Sequence, residues 1–290
     1  MANIKDLKKR IKSTKGTFKI TKAMKLVSAA KLNKAQQRIV GMRPYATELE
    51  QTVRTVSALN KEYSSVFFKE NPENRQSVVL VLSSDKGLCG GYNSSIVKAV
   101  RRLKTEKAGE QFKFFFIGKK ARALVAKEVN AGKTFTFARV DPTIDEVRKI
   151  ADELSAMFIS GEVGKVYVLY NSFLSAIAFN TTLKQLLPLV VTEQEREALR
   201  AKFPSDYKYE PSAQSILDTL VPEVFITSVF TAVLDAIASE HGARMSAMEA
   251  ASKNSKEMIR KLSLKMNKLR QAKITTELAE VVSGAESLNG

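Results

Sequence analysis

The chain is 290 residues long, 44% hydrophobic, and carries 47 Lys and Arg against 30 Asp and Glu, a net charge of +17. That hydrophobic share supports a packed core and excludes wholesale disorder, while the basic excess points to an anionic partner: nucleic acid, a lipid surface or an acidic protein. One cysteine, Cys89, and one histidine, His241, exclude an intramolecular disulfide, a thiolate zinc cluster and a multi-histidine metal site.

The single thiol fits a reducing compartment. No apolar run of the roughly 18–20 residues that span a bilayer is expected. The opening MANIKDLKKR is basic but has neither the apolar stretch nor the cleavage site of a signal peptide, and it does not read as a transit peptide.

Residues 1–60 hold fourteen Lys and Arg against three acids, a net +11. Within them Ile4, Leu7, Ile11, Thr14 and Phe18 recur at 3-4-3-4 spacing, one seam of a coiled coil, and Asn3 stands where it can cap the helix. The seam is then expected to slip in phase onto Ile20, Ala23, Val27 and Ala30, with the small residues 28–30 admitting a close neighbour. Pro44 predicts a kink or interruption near 40–43, with helix resuming to about residue 59.

Residues 76 to about 210 read as α/β. Short apolar runs at 78–83 (VVLVLS), 112–117 (FKFFFI) and 166–170 (VYVLY) have the character of buried strands, and helical stretches near 93–105, 119–130 and 142–159 separate them. That alternation implies a mostly parallel, Rossmann-like sheet covered by helices. The loop from Ser83 to Asn93 holds Gly87, Gly90 and Gly91 after the first strand, where doubly wound folds bind phosphates. Neither dinucleotide nor P-loop spacing fits it, so a structural turn is the better reading. Cys89 within it reads as a buried small hydrophobe. His241 has no nucleophile placed near it in the sequence, and no paired carboxylates stand out, so no catalytic residue, cofactor site or metal site is expected.

Toward the end, Met245, Met248, Ser252, Ser255, Ile259, Leu262, Met266 and Leu269 follow the same 3-4 spacing without a break. From Pro222 to Gly284 there is no further proline, so a helix of about 95 Å is predicted at 1.5 Å per residue. A helix that long requires a partner, and the amino-terminal helix supplies one. The expected fold is therefore an antiparallel two-helix coiled coil of the terminal segments plus a central α/β domain, divided as 1–60, 76–210 and 211–290. Beyond the polar stretch 270–277, the residues Leu278, Ala279, Val281, Val282, Ala285 and Leu288 form an apolar tip that needs a receiving surface.

These residues resemble the gamma subunit of F-type ATP synthase from end to end. Ile274 to Ser287 fits the family signature I-T-x-E-x-x-[DE]-x-x-x-G-A-x-[SAKR] at every fixed position. Arg10-Ile11-Lys12-Ser13, Lys19-Ile20-Thr21-Lys22-Ala23-Met24 and Val27-Ser28-Ala29-Ala30-Lys31 are similar to its first helix. Ser84-Asp85-Lys86-Gly87-Leu88-Cys89-Gly90-Gly91 matches its interior motif. Gln185-Leu186-Leu187-Pro188, Tyr209-Glu210-Pro211-Ser212 and Ser239-Glu240-His241-Gly242-Ala243-Arg244-Met245 are also family-like.

The resemblance implies a central rotor shaft that couples ion-driven rotation of the c ring to ATP synthesis or hydrolysis on the alpha/beta ring. The chain itself would be a non-catalytic subunit with no cofactor. Its implied partners are the alpha and beta subunits, epsilon and the c-subunit ring, with no nucleic acid and only peripheral membrane association through the complex. The implied beta-subunit contacts are Met24, Lys25, Arg244, Arg270, Gln271, Thr275 and Glu277. The implied bearing tip is Val281, Val282, Ala285 and Leu288, and the c-ring and epsilon contact is Tyr207, Lys208, Tyr209 and Glu210. The redox cysteine pair of the plant plastid form has no counterpart here, since only Cys89 is present. The implied setting is the cytoplasmic face of a bacterial inner membrane. The rival readings from the residues alone are a basic coiled-coil scaffold that binds nucleic acid, resting on the +11 segment, and an α/β nucleotide enzyme using residues 83–93.

Overall fold

A computed structural model describes residues 4–60, 63–71, 73–106, 109–138, 141–203 and 208–289. In chain order these form α1 (Ile4–Leu59), a short 3-10 turn (Val66–Phe68), β1 (Gln76–Leu82), α2 (Tyr92–Glu106), β2 (Gln111–Ile117), α3 (Lys119–Val125) and β3 (Asn130–Phe135). Then follow α4 (Ile144–Ile159), β4 (Lys165–Ser175), β5 (Ala178–Leu187), α5 (Glu193–Lys202) and α6 (Ala213–Asn289). The chain divides into two compact units: one of Met1–Ser28 with Arg244–Gly290, the other Ala29–Ala243.

In the larger unit the strand order is β3-β2-β1-β4-β5. The first four strands are parallel and β5 runs antiparallel to β4. Val78, Val79, Leu80 and Val81 are all fully buried, so β1 lies in the middle of a sheet covered on both faces, as its unbroken apolar run requires. On one face Val79, Val81, Phe114, Phe116, Tyr167 and Leu169 pack with Ile96, Val97, Val100 and Leu103 of α2 and with Ala121 and Val125 of α3. α4 begins with a capping box: the Thr143 hydroxyl accepts from the Glu146 amide, and the Thr143 amide donates to the Glu146 carboxylate.

The mostly parallel sheet and the terminal helices match the fold read from the sequence. Three elements escaped that reading. β3 begins at Asn130, where helix 119–130 was expected to end, and α3 stops at Val125 with a turn over 126–129 between them. β5 (AFNTTLKQLL) carries no long apolar run, because an edge strand needs only part of its surface buried. α5 buries no residue, so no apolar stripe announced it.

The expected interruption at Pro44 and an expectation about hydropathy are corrected. α1 runs through Pro44 without interruption. Proline removes the hydrogen bond to the carbonyl of Val40, but both Val40 and Pro44 are exposed, so that carbonyl is on the solvent side while buried Ile39 and Leu49 hold the helix on either side. Likewise α6 starts at Ala213 and continues through Pro222. It also contains what the sequence reading denied: an 18-residue window with mean hydropathy 1.8, long and apolar enough to cross a bilayer by composition, of which 67% is buried inside the protein. Val221, Val224, Phe225, Val229, Val233 and Leu234 there are core residues of the α/β unit.

The smaller unit is an antiparallel helix pair. Lys25 bonds Glu249 at 2.7 Å and Thr21 meets the Ser252 hydroxyl at 2.8 Å, so four residues down α1 correspond to three up α6. The seam does not slip. Ile4, Leu7, Ile11, Thr14, Phe18, Thr21, Lys25 and Ser28 keep the 3-4 spacing and are all buried or half-buried, whereas Ile20, Ala23, Val27 and Ala30 face solvent. Thr21 and Ser28 carry the seam where apolar residues were sought. On α6 every one of Met245, Met248, Ser252, Ser255, Ile259, Leu262, Met266 and Leu269 is buried or half-buried, as the spacing predicts. Asn3, expected as a cap, lies outside the described residues.

Candidate functional site

The register places Ile4 opposite about Arg270, and from Arg270 to Ala285 every residue is exposed. α6 thus outruns α1 by about 28 Å at 1.5 Å per residue. Arg270, Gln271, Thr275 and Glu277 lie on this free segment, with only local partners: the Thr275 hydroxyl donates to the Gln271 carbonyl at 3.0 Å, and Lys273 pairs with Glu277 at 3.4 Å. Further along, Ile274, Leu278, Val281 and Val282 present between 51% and 70% of their surface, and Ala285 is exposed. Leu288 belongs to the same helix, and its side chain lies outside the described residues.

The other expected contact residues are less open. Met24 and Lys25 are half-buried, and the Lys25 amine is engaged with Glu249. Arg244 is only 7% exposed and engaged within the chain. Outside the expected set, Ile20, Leu26 and Val27 present exposed apolar surface on α1. Strict 3-4 counting from Phe18 would have revealed it, because it puts Thr21, not Ile20, in the seam.

Charge concentrates in this unit. Met1–Ser28 and Arg244–Gly290 hold eighteen Lys and Arg against six acids, a net +12 of the chain's +17 in about a quarter of its length. Such a rod attracts acidic surfaces over a distance limited by salt screening.

In the α/β unit the loop after β1 is internally satisfied. The Asn93 amide donates to the Ser84 hydroxyl at 2.7 Å and approaches the Cys89 sulfur at 3.2 Å, and the Asn93 carbonyl oxygen accepts from the Ser84 backbone at 3.1 Å. Gly90, at φ 54°, turns the chain into α2, and Cys89 is buried. The loop is a tight strand-to-helix turn. His241 is likewise buried within α6 and engaged.

Of the segment expected to contact the c ring and epsilon, Tyr207 lies outside the described residues. Lys208 and Glu210 are exposed, and Tyr209 packs half-buried on Leu49, Val53, Val56, Leu217, Val221 and Val224. Near this cluster, burial would raise the Glu50 carboxyl, but Lys184 and Arg54 outweigh it and hold it below the usual carboxylate range. Asp235 shows the opposite balance: burial raises it, and the Arg43 and Ser172 contacts only partly offset that.

A family model described as ATP synthase matches residues 3–288. The ATP synthase gamma chain of Geobacter metallireducens is 41% identical over 292 residues, covering all of both chains. The chain belongs to the ATP synthase gamma chain family. The gamma chain of Bdellovibrio bacteriovorus is 42% identical, again over the full length of both. Among solved structures, a chain of the Tetrahymena thermophila mitochondrial ATP synthase central stalk and c ring is 26% identical, with a TM-score of 0.60 over 80% of this chain and 99% of that one. A chain of the Euglena gracilis mitochondrial ATP synthase, in a structure of OSCP, F1 and c ring, aligns with a TM-score of 0.71 over 98% of this chain and 94% of that one. At 18% identity that second likeness concerns the fold. As a gamma chain, this protein is the central rotor shaft of a membrane-associated F-type ATP synthase.

Proposed function

We propose that the chain transmits rotation between an ion-driven c ring and the nucleotide sites of an alpha/beta ring, adding no catalytic group of its own. The observation that carries this reading is the free end of α6, an exposed helix bearing Arg270, Gln271, Thr275 and Glu277 and then Val281, Val282 and Ala285. An unpaired apolar helix end is a liability in water unless another protein receives it. The polar part meets the beta subunits and the apolar part, with Leu288, turns in a sleeve of the ring. Met24, Lys25 and Arg244 meet a second zone of beta, with Arg244 presenting only a small part of its surface there.

A rotor must meet three beta subunits in succession, so its contacts have to form and release at similar energies. Long-range attraction between a +12 rod and acidic loops satisfies that better than deep apolar interdigitation. Lys208 and Glu210, both exposed, contact epsilon and the c ring, with Tyr209 half-buried behind them. The complex works at the cytoplasmic face of a bacterial inner membrane, and this chain joins the membrane only through it.

The test is reconstitution with the alpha, beta and epsilon subunits onto the c ring and its ion-conducting membrane partner in sealed vesicles, followed by ATP hydrolysis and ATP-driven ion pumping. Removal of residues 270–290 weakens assembly or coupling while the α/β unit stays folded. ATP hydrolysis by the isolated chain at enzyme-like rates would overturn the reading. Salt-resistant binding to a defined DNA sequence would favour the nucleic-acid scaffold instead.

A further inference from the structure

Within the α/β unit, α6 is tied to β4 by a succession of polar contacts. The Ser239 hydroxyl donates to the Asn171 carbonyl at 2.9 Å, and the Ser172 hydroxyl reaches the Asp235 carboxylate at 3.4 Å. The Tyr92 hydroxyl, at the start of α2, donates to the Ala236 carbonyl at 3.1 Å. At Gly242 the helix backbone comes so near the Ala176 carbonyl that a Cβ would sit 2.8 Å from its oxygen.

α1 joins this system through one guanidinium. Arg43 donates to the Asp235 carboxylate at 2.8 Å and to the Phe173 carbonyl at 3.0 Å, so a single side chain of α1 holds both α6 and β4. α1 has further polar ties in this unit, among them Arg38 to the Pro142 carbonyl at 2.6 Å and over the Phe230 ring, and Arg54 to the Val190 carbonyl at 3.1 Å, but its other carboxylate pairs are more open to water. Lys34 pairs with Asp141, and Arg54 with Glu195, whose side chains are 40% and 51% exposed; Asp235 is 5% exposed. Farther along, α1 meets α6 through Leu49, Val53 and Val56 on Leu217, Val221 and Val224, an apolar contact without directional bonds.

This difference matters for a rotor, and the inference rests on the rotor reading above. Apolar surfaces resist separation but slide and rotate past one another at little cost, because the hydrophobic effect is non-directional. A charge-assisted bond from one guanidinium to two fixed acceptors does not tolerate such sliding. A carboxylate is held out of water at Asp235 against its own desolvation. Buried ionic groups are weak sources of stability, and their best-attested use is to fix geometry and register.

We infer that Arg43 and Asp235 are positioning residues for coupling: together they lock α1 and α6 to the sheet so that rotation of the α/β unit is passed to both helices without slip.

The test uses the reconstituted complex with the double variant Arg43→Met/Asp235→Leu, which removes both charges together and leaves no stranded buried carboxylate. Three quantities are read: the melting temperature of the purified chain, the ATPase rate of the complex, and ions pumped per ATP hydrolysed. Melting and ATPase stay near wild type, while pumping per ATP falls about threefold or more, the scale on which residues of a coupling network act. Unchanged pumping per ATP in the assembled variant overturns the inference. Should the double variant not assemble, Arg43→Lys gives the same readout. It keeps a cation on a shorter stem but removes the nitrogen, Nη2, that donates to both Asp235 and Phe173, and an intermediate ratio supports the lock while a wild-type ratio overturns it. A wild-type complex that hydrolyses ATP without pumping would count against the rotor reading itself, not against this pair.

Discussion

Thr21 and Ser252 meet across the seam of the coiled coil at positions where an apolar pair would bind more tightly. Polar residues at such positions give up stability and fix register instead. The apolar end of the seam carries more of the strength, and Leu7 is 3% exposed there. Leu7→Ala should weaken the helix pair by about 2–4 kcal/mol, read as faster amide hydrogen exchange along the first turns of α1. Gly118 is another determinate position: it sits at φ 89°, and a Cβ would collide with the Ser83 carbonyl. Gly118→Ala should cost at least about 1–3 kcal/mol in the α/β unit, measured by denaturant unfolding. At Glu50 the lowered carboxyl sets a sign for pH dependence. Its contribution is present above the ordinary glutamate value of 4.5 and is lost as pH falls through the lower folded value. Glu50→Gln should therefore melt below wild type at neutral pH, and the two melting curves should converge in acid.

α6 changes role along its length, and one helix propensity covers all of it. Up to Ala243 it is a core helix, its apolar window buried beside β4; from Met245 to Leu269 it is one strand of a coiled coil; beyond Arg270 it stands free. Because every residue from Arg270 to Ala285 is exposed, deleting 270–290 should remove about twenty residues of helical signal from the circular dichroism. Unfolding of the remainder should shift by no more than about 0.5 kcal/mol. A larger loss would mean that the end packs on the chain's own domain. α5 is held differently, by Arg196 and Arg200 donating to the Ser57 and Ala58 carbonyls at the end of α1. Its attachment is polar, which is why no apolar stripe marked it in the sequence.

Across the whole molecule the charge is divided unequally: +12 in the coiled-coil unit leaves +5 for the 215 residues of the α/β unit. If acidic partners receive the rod, association of the chain with an alpha/beta ring should slow by about tenfold or more as salt is raised. The deletion of residues 270–290 should retain most of that salt dependence, since the basic residues lie mainly before Arg270. Stopped-flow association at two ionic strengths separates the two contributions.

By itself the sequence determined the periodic seams at both ends, the buried strand runs, the family motifs and the excess of positive charge. Each of these depends on residue type and local spacing alone. Tertiary structure decided which face of each pattern is inside. It kept Thr21 and Ser28 in the seam and turned Ile20 and Val27 outward, carried α1 through Pro44, and paired β5 antiparallel to β4. It made a membrane-like apolar stretch into a core helix and brought Arg43, Phe173 and Asp235 to one point. The physical reason is common to all of them: burial and directional bonds are properties of pairs, and the partner of each of these residues lies far away in the chain.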